Sequence, residues 1–522
     1  MSDEVSLRLV ADIARHQSAT RPRAVAMVFN ERATTYGELD RLSNQTASGL
    51  IAEGLSPQTR IAVLDKNSDS FFEILFGAAK SNNVMVAINW RLAAPEISYI
   101  INDAMAEVLF VGEEYFGTIE KLLGDLKTVK KIIALNGSHE EWESYQAWRD
   151  RQSETDPDVS NDPSDVVLQM YTSGTTGHPK GAQLTNSNLL TIVPVLTREF
   201  ARWDESDVSL VCMPLFHIGG SGYALMGFYS GARNIILRET VPAAILQAVS
   251  RHRVTKAFLV PALLLFLLQT PGVQDTDFSS LNLIIYGASP IPLDLLRRSM
   301  ETFKCGFAQT YGLTETSGGI TWLPPEDHDP NGNERMRSCG KPHSLAEIRV
   351  VDATGRVLPV GEVGEIICRS PQNMKGYWNL PDATASTVRG EWLHTGDAGY
   401  LDADGYIYIH DRVKDLIVSG GENIYPAEVE SVLFGHPAIA DVAVIGVPDD
   451  TWGEAVKAVV VKKPGAEVTA EEIMSFARER IAHFKAPRSV DFVAALPRNP
   501  SGKILKRELR APFWEGRERQ VN

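Results

Sequence analysis

The sequence predicts an α/β protein with a large N-terminal domain, built of two doubly wound αβ subdomains and a small β-barrel or sandwich, followed by a small α+β C-terminal domain. Three observations predict it. At 522 residues the chain exceeds what one hydrophobic core organises. Short apolar runs alternate with helical periodicity between residues 61 and 111, and again between 208 and 311, as in parallel sheets covered by helices. From about Cys339 the texture changes to short β-like segments cut by Gly, Pro and Asp turns.

Leu7 to Gly54 reads as helix, strand pair and helix, the second helix entered through Thr35 to Leu39 with Leu39, Leu42, Thr46 and Leu50 on one side. Ile61 to Leu64, Val84 to Ile88 and Val108 to Val111 are strands, separated by helices Ser70 to Lys80 and Pro95 to Ala104. Asp150 to Asp165, rich in Asp, Ser and Pro, is a surface connection leading to a buried strand, Val166 to Met170. Helix Ser187 to Thr197, strand Val208 to Cys212, strand Asn234 to Leu237, helix Pro242 to Arg251 and strand Lys256 to Val260 restart the rhythm as a second subdomain. The longest apolar run, Ala257 to Leu268, contains Pro261 and reads as a buried helix, well short of the roughly 20 residues a membrane span needs. Leu283 to Tyr286 runs into Gly287-Ala288-Ser289, and Phe307 to Tyr311 into Gly312 to Glu315. Ala346 to Val351, Gly364 to Arg369 and Gly405 to Ile409 supply the β unit. Helix Pro426 to Phe434, strands Asp441 to Gly446 and Val456 to Lys462, and helix Ala470 to Arg480 form the tail. A boundary near Lys414 divides the chain into 1–413 and 414–522.

Composition narrows the chemistry. A net charge of −15 and a pI near 5.3 argue against nucleic acid as the main ligand. The four cysteines (Cys212, Cys305, Cys339, Cys368) form no CxxC pair and no zinc-spaced cluster, which points to a reducing compartment without a structural metal. The acidic start, Met1 to Val5, has neither a basic nor an apolar leader segment, so the cytoplasm is the expected location.

The stretch Tyr171 to Gly181 concentrates hydroxyl residues, glycines and Lys180 directly after a strand. Glycines let backbone N–H groups approach an anion, hydroxyls donate further hydrogen bonds, and lysine adds a compact charge, so the loop suits phosphate. It is not the Walker pattern: the lysine follows Gly177 by three residues, and Gly181 stands where Ser or Thr belongs. Both Gly287-Ala288-Ser289 and Gly312 to Glu315 follow strands, where ligands of open α/β sheets bind. Glu315 is the candidate ligand for Mg²⁺, a hard ion that takes carboxylate oxygens. Asp397, expected in a turn, suits two ribose hydroxyls or an Asx turn; Arg412 reaches the same sugar or pairs with Asp411 or Asp415. Lys503 is a point charge in the polar loop Pro497 to Lys503.

Together these segments resemble the adenylate-forming superfamily: acyl- and aryl-CoA synthetases, luciferases and peptide-synthetase adenylation domains. Tyr171 to Gly181, Pro214 to Gly220, Gln309 to Thr316, Thr395 to Asp397, Asp411 to Asp415, Ser419 to Pro426 and Pro497 to Lys506 occur in the family's order across nearly the whole chain. Asn89 to Ala93 and Ser419 to Glu428 look most like bacterial fatty-acyl-CoA ligases. The resemblance implies a mobile C-terminal domain and two steps: carboxylate plus ATP gives acyl-AMP and pyrophosphate, then the thiol of coenzyme A displaces AMP. It implies that Thr172, Ser173, Gly174, Thr175, Thr176, Gly177 and Lys180 hold the β- and γ-phosphates, Thr314 the α-phosphate and Glu315 the magnesium. Gly287, Ala288 and Ser289 would line adenine, Tyr311 would stack on it, Gln309, Thr310 and Gly312 would border the nucleotide, and Asp397 and Arg412 would hold the ribose. Lys503 matches the adenylation lysine, Lys414 the hinge, and Ser419, Gly420, Gly421 and Glu422 the loop that meets pantetheine.

The acid is less legible. Gly219, Gly220, Ser221, Gly222 and Gly318 lack bulk and charge, which favours an apolar tail, fatty or cinnamate-like, over an amino acid. His217 is either a catalytic gate for the thiol or a packing residue at a strand end. Thr197 to Asp204, with Arg198, Arg202 and Trp203, is read as a lipid-touching or a solvated segment. A luciferase-type oxygenase and a ligase that loads a carrier in trans stay open, as does oligomeric state, homodimer included.

Overall fold

The computed structural model describes residues 7–172, 179–412, 415–419, 422–449, 451–498 and 504–515, without the side chains of Glu199, Asp411, Arg412, Glu422 and Asn423. The first sheet has eight strands in the order Gly376–Tyr377, Lys180–Thr185, Val166–Thr172, Val84–Ala87, Arg60–Leu64, Val108–Gly112, Lys131–Leu135 and Glu143–Ser144. It is parallel from Val166–Thr172 onward and antiparallel across its first three strands. The second sheet has seven strands: Gly306–Thr310, Leu283–Gly287, Lys256–Leu259, Val208–Val211, Arg233–Ile236, Val25–Phe29 and Arg32–Thr35. All its pairings are parallel except the last.

One core joins the two sheets. Helix Asp69–Lys80 is buried along its whole length, as its nearly all-round apolar sequence requires. Phe72 and Phe76 on it meet Phe228 of helix Ile218–Ser230 at ring distances of 4.7 and 5.7 Å. The expected β unit is an antiparallel sheet of Glu347–Val351, Gly364–Arg369, Trp392–Leu401 and Val388–Arg389, with Ile407–Arg412 also on Trp392–Leu401. The C-terminal unit is built on Ile439–Asp449 and Gly453–Lys462, flanked by Ile417–Ser419, Glu422–Ile424 and Ser489–Phe492. Helices Pro426–Phe434 and Ala470–Arg478 cover one face, and Leu496, Ile504 and Leu509 pack on the other. The molecule is thus a large mixed α/β domain followed by a smaller one.

The structure corrects several expected elements. The N-terminal strand pair, to which no sheet was assigned, joins the second sheet through Val25–Phe29 and Arg233–Ile236, distant in sequence. The run Ala257 to Leu268 divides at Pro261 into strand Lys256–Leu259 and helix Pro261–Gln269; proline starts the helix because its missing N–H is unneeded there. Asp397 lies within the ten-residue strand Trp392–Leu401, not in a turn. That strand, Lys180–Thr185, Ser489–Phe492 and helix Lys506–Trp514 had no expected counterpart. Trp203 is only 9% exposed, lies 5.6 Å from Tyr223 and has the Lys256 ammonium 5.3 Å from its ring centre. The segment Thr197 to Asp204 therefore offers no tryptophan to lipid.

Candidate active site

The glycine stretch joins two antiparallel strands rather than a strand and a helix. Val166–Thr172 pairs with Lys180–Thr185 so that Thr172 faces Lys180 across the mouth of the loop. Ser173, Gly174, Thr175, Thr176 and Gly177 lie outside the described residues. A partly buried polar network adjoins the two strands. Tyr171 donates its hydroxyl to Asp103 Oδ2, Gln169 Nε2 donates to the Tyr171 hydroxyl at 3.1 Å, and Arg60 donates to Gln169 Oε1 at 3.2 Å. Burial, with Asp103 second, raises the Tyr171 hydroxyl far above its ordinary pKa. Burial lowers Arg60 to about 10, and its guanidinium lies 3.5 Å from the Trp378 ring centre. A Cβ at Gly181 would stand 2.7 Å from Gln169 Nε2 and so displace that amide from its bond to Tyr171.

The Glu315 turn follows the short strand Gly312–Leu313 and closes on Thr316, which is fully buried. Thr316 Oγ1 accepts from Leu313 N at 2.8 Å and donates to Gly318 O at 2.7 Å. Gln372 Nε2 donates to Thr316 O at 2.6 Å and Gly319 O at 3.0 Å, and its Oε1 pairs with His343 Nε2 at 2.6 Å. Glu315 Oε1 accepts from Tyr377 Oη at 2.8 Å and from Thr172 Oγ1 at 3.4 Å. The carboxylate expected to hold metal is thereby tied to the edge of the phosphate loop.

On the other side of the turn, Tyr311 donates its hydroxyl to Asp397 Oδ2 at 2.7 Å, both residues being buried. Glu365 orients the approach to Asp397: its Oε1 accepts from Gly396 N at 3.1 Å and its Oε2 pairs with His394 Nδ1 at 2.8 Å. Gly396 has φ +69°, left-handed backbone that glycine adopts without strain. Asp397 and Arg412 are partners across the two strands. Gly287 pairs with Thr310 and Tyr286 with Gln309 in adjacent parallel strands, so Gly287-Ala288-Ser289 and Gln309 to Gly312 leave the sheet side by side. Ala288 has φ +67°, a costly left-handed conformation of the kind found at functional turns.

The expected acyl region divides. A Cβ on Gly219 would lie 3.0 Å from Phe258 Cε1 and one on Gly220 only 2.2 Å from Pro214 O, while Ser221 is fully buried, so these three are packing positions. Apart from chain neighbours and helix backbone, a Cβ on Gly222 would meet Ile218 at 3.1 Å and one on Gly318 would meet it at 4.0 Å. His217 precedes the first turn of helix Ile218–Ser230, half-buried, its ring 4.5 Å from that of Phe216. Thr314 is half-buried, its carbonyl accepting from Ser317 N at 2.9 Å.

In the C-terminal unit, Ser419 is buried and pairs with Glu422 and with Gly453; Gly420, Gly421 and Lys414 lie outside the described residues. So does Lys503; of the described residues on either side, Arg498 pairs with Ile504 in a β-bridge, and Arg498 Nη2 is anchored on Asp441 Oδ2 at 2.6 Å. Sequence reasoning missed Tyr377, Gln372 and Glu365. The strand Gly376–Tyr377 is too short for periodicity to reveal, and the partners of Gln372 and Glu365 are largely backbone groups.

A glycine-rich connection between two strands, a carboxylate at its edge and a second buried carboxylate within a strand are what a nucleotide-using α/β enzyme would need. Comparison with known proteins makes the class specific. Residues 14–378 match the AMP-binding enzyme family and residues 428–503 the AMP-binding enzyme C-terminal domain. A fatty acid–[acyl-carrier-protein] ligase, ScoC of Streptomyces coeruleorubidus, is 43% identical over 96% of both chains. A feruloyl-CoA synthase of an Amycolatopsis species is 38% identical over 94% of this chain and 96% of its own. The crystal structure of the anthranilate CoA ligase AuaEII with anthranoyl-AMP superposes with a TM-score of 0.92 at 29% identity, covering 98% of each chain. The chain belongs to the AMP-binding enzyme family, within the adenylate-forming superfamily of acyl-CoA synthetases. It is an ATP-dependent acid ligase that forms acyl-AMP.

Proposed function

We propose that the enzyme is an acid–thiol ligase, acting on an apolar carboxylic acid with coenzyme A as acceptor. In the first half-reaction a carboxylate oxygen bonds to the α-phosphorus of ATP, the bond from that phosphorus to the α–β bridging oxygen breaks, and pyrophosphate leaves. In the second, the thiol sulfur bonds to the acyl carbon, the bond from that carbon to the AMP oxygen breaks, AMP leaves, and the thiol proton passes to solvent.

One observation carries this reading. Glu315 is hydrogen-bonded to Thr172 at the edge of the glycine loop, and Tyr311, four residues earlier, is hydrogen-bonded to Asp397. A nucleotide fits this arrangement with its phosphates at the loop and its ribose at Asp397 and Arg412. Glu315 fits magnesium: Oε1 takes both hydroxyls, whereas Oε2 accepts no hydrogen bond among the described residues and remains a hard anionic oxygen. When bound, the ion neutralises phosphate charge. Thr172, Lys180 and the loop orient the phosphates, Thr314 the α-phosphate, and Lys503 faces the charge that develops between carboxylate and phosphorus. The domains divide at Lys414, about which the smaller one turns so that the Ser419 to Glu422 loop meets the pantetheine arm.

Gly222 and Gly318, both beside Ile218, add neither charge nor side-chain bulk to the expected acyl region, which favours an uncharged tail over a second carboxylate. A fatty acid is the first reading. Resemblance to the feruloyl-CoA synthase favours an aryl acid as the second, and the relationship to ScoC raises a carrier-protein thiol as the acceptor. Four unpaired cysteines, all buried or half-buried, accord with a reducing cytoplasm.

Pyrophosphate release and thioester formation, measured over fatty, cinnamic and small branched acids with coenzyme A, with a phosphopantetheinyl carrier or with neither, test this reading. Acid-dependent pyrophosphate release followed by acyl-CoA formation is expected, and thioester only on the carrier would transfer the acceptor role. Lys503→Ala should slow acyl-AMP formation by about 10² to 10³ and leave thioester formation from supplied acyl-AMP largely intact. Equal loss of both half-reactions would refute that division.

A further inference from the structure

A short strap, residues 372–378, crosses the back of the site and touches both of its anionic-ligand elements. Met374 N donates to Glu315 O at 2.8 Å, Lys375 N to Gln183 O at 3.0 Å and Trp378 N to Gly181 O at 2.8 Å. Gly376–Tyr377 pairs antiparallel with Lys180–Thr185. Tyr377 N donates to Thr384 Oγ1 at 2.9 Å, which ties the residue to helix Pro381–Thr387. The strap therefore holds the glycine hairpin and the Glu315 turn at one fixed separation.

The Tyr377 side chain joins the two elements directly. Its hydroxyl donates to Glu315 Oε1 at 2.8 Å, while its ring centre lies 5.2 Å from Lys180 Nζ, within range of a cation–π contact. The residue is only 8% exposed, so this hydrogen bond to an ionised group is shielded and strong. A carboxylate fixed through one oxygen presents the other in a single direction. A lysine held over a ring loses less freedom on meeting a phosphate than one swinging in solvent.

We propose that Tyr377 is a positioning residue for the metal–nucleotide complex, fixing Glu315 through its hydroxyl and Lys180 through its ring. This rests on the reading of Glu315 as the magnesium ligand and Lys180 as a phosphate contact. The hydroxyl removes rotational freedom from Glu315 before ATP arrives, and its contribution to nucleotide binding runs through Glu315 as the metal ligand.

Calorimetric titration of the full-length enzyme with ATP and Mg²⁺, without acid substrate, tests it on four proteins: the parent, Tyr377→Phe, Glu315→Gln and the double variant. Tyr377→Phe keeps the ring and should weaken ATP binding about tenfold, because Glu315 must then be ordered as metal and nucleotide arrive. In the Glu315→Gln background the same substitution should change binding by no more than about twofold. Binding by Tyr377→Phe as tight as the parent's would overturn the proposal, and so would a tenfold loss that persists undiminished with Glu315→Gln. Failure of the parent enzyme itself to bind ATP with Mg²⁺ would instead overturn the nucleotide reading beneath it.

Discussion

Gly312 shows how little room the site leaves a single residue. A Cβ there would lie 1.9 Å from Gly318 O and 2.9 Å from Gly319 Cα, both backbone atoms that cannot swing aside. Gly312→Ala must push the Glu315 turn away from Tyr311 or break the Gly312–Gly319 pairing. We expect a loss of about 1–3 kcal/mol of stability, read as a thermal midpoint lower by several degrees, with adenylation falling by more than the folded fraction does. Wild-type midpoint and rate would show that the turn tolerates a side chain. Glu315, Asp397 and Lys180 were candidates from the sequence because each stands in a short polar, glycine-containing segment, and the structure sets Glu315 beside Thr172, the strand partner of Lys180, and Asp397 beside Tyr311. Tyr377, Gln372 and Glu365 were not, since a tyrosine in a two-residue strand and a buried glutamine look like ordinary packing until their partners are known.

At the scale of elements, the strands on either side of the glycine stretch are antiparallel partners and the Glu315 turn is clamped by Gln372, and neither followed from periodicity. Lys180–Thr185 was missed because its residues, Lys-Gly-Ala-Gln-Leu-Thr, alternate weakly and follow a stretch dominated by glycine. Trp392–Leu401 was missed because Gly396 within it mimics a turn. Gln372 clamps the Glu315 turn by donating to two carbonyls and accepting from His343. Gln372→Leu keeps most of the volume but strands these three buried groups, at about 1–3 kcal/mol for each one left unsatisfied. Its thermal midpoint should drop further than that of Gly312→Ala, and ATP binding should weaken with it. A midpoint equal to the parent's would mean the turn holds itself without the clamp.

Over the whole molecule, the alternation of strands and helices made two parallel sheets readable, and the change of texture after Cys339 made the antiparallel unit readable. What stayed hidden was long-range pairing: Val25–Phe29 beside Arg233–Ile236, and Gly376–Tyr377 beside Lys180–Thr185. Local propensity carries no information on such partners, because register between distant strands is chosen by the shared core. The second pairing seats Tyr377, which bonds Glu315, beside the strand that follows the glycine stretch, and on this arrangement the proposed adenylation site rests. Acid-dependent exchange of labelled pyrophosphate into ATP by the purified full-length enzyme measures this most directly. The account predicts exchange that requires both Mg²⁺ and an apolar carboxylic acid, proceeds without any thiol, and collapses in Glu315→Gln; exchange unaltered by Glu315→Gln, or none with any fatty or aryl acid, would contradict it.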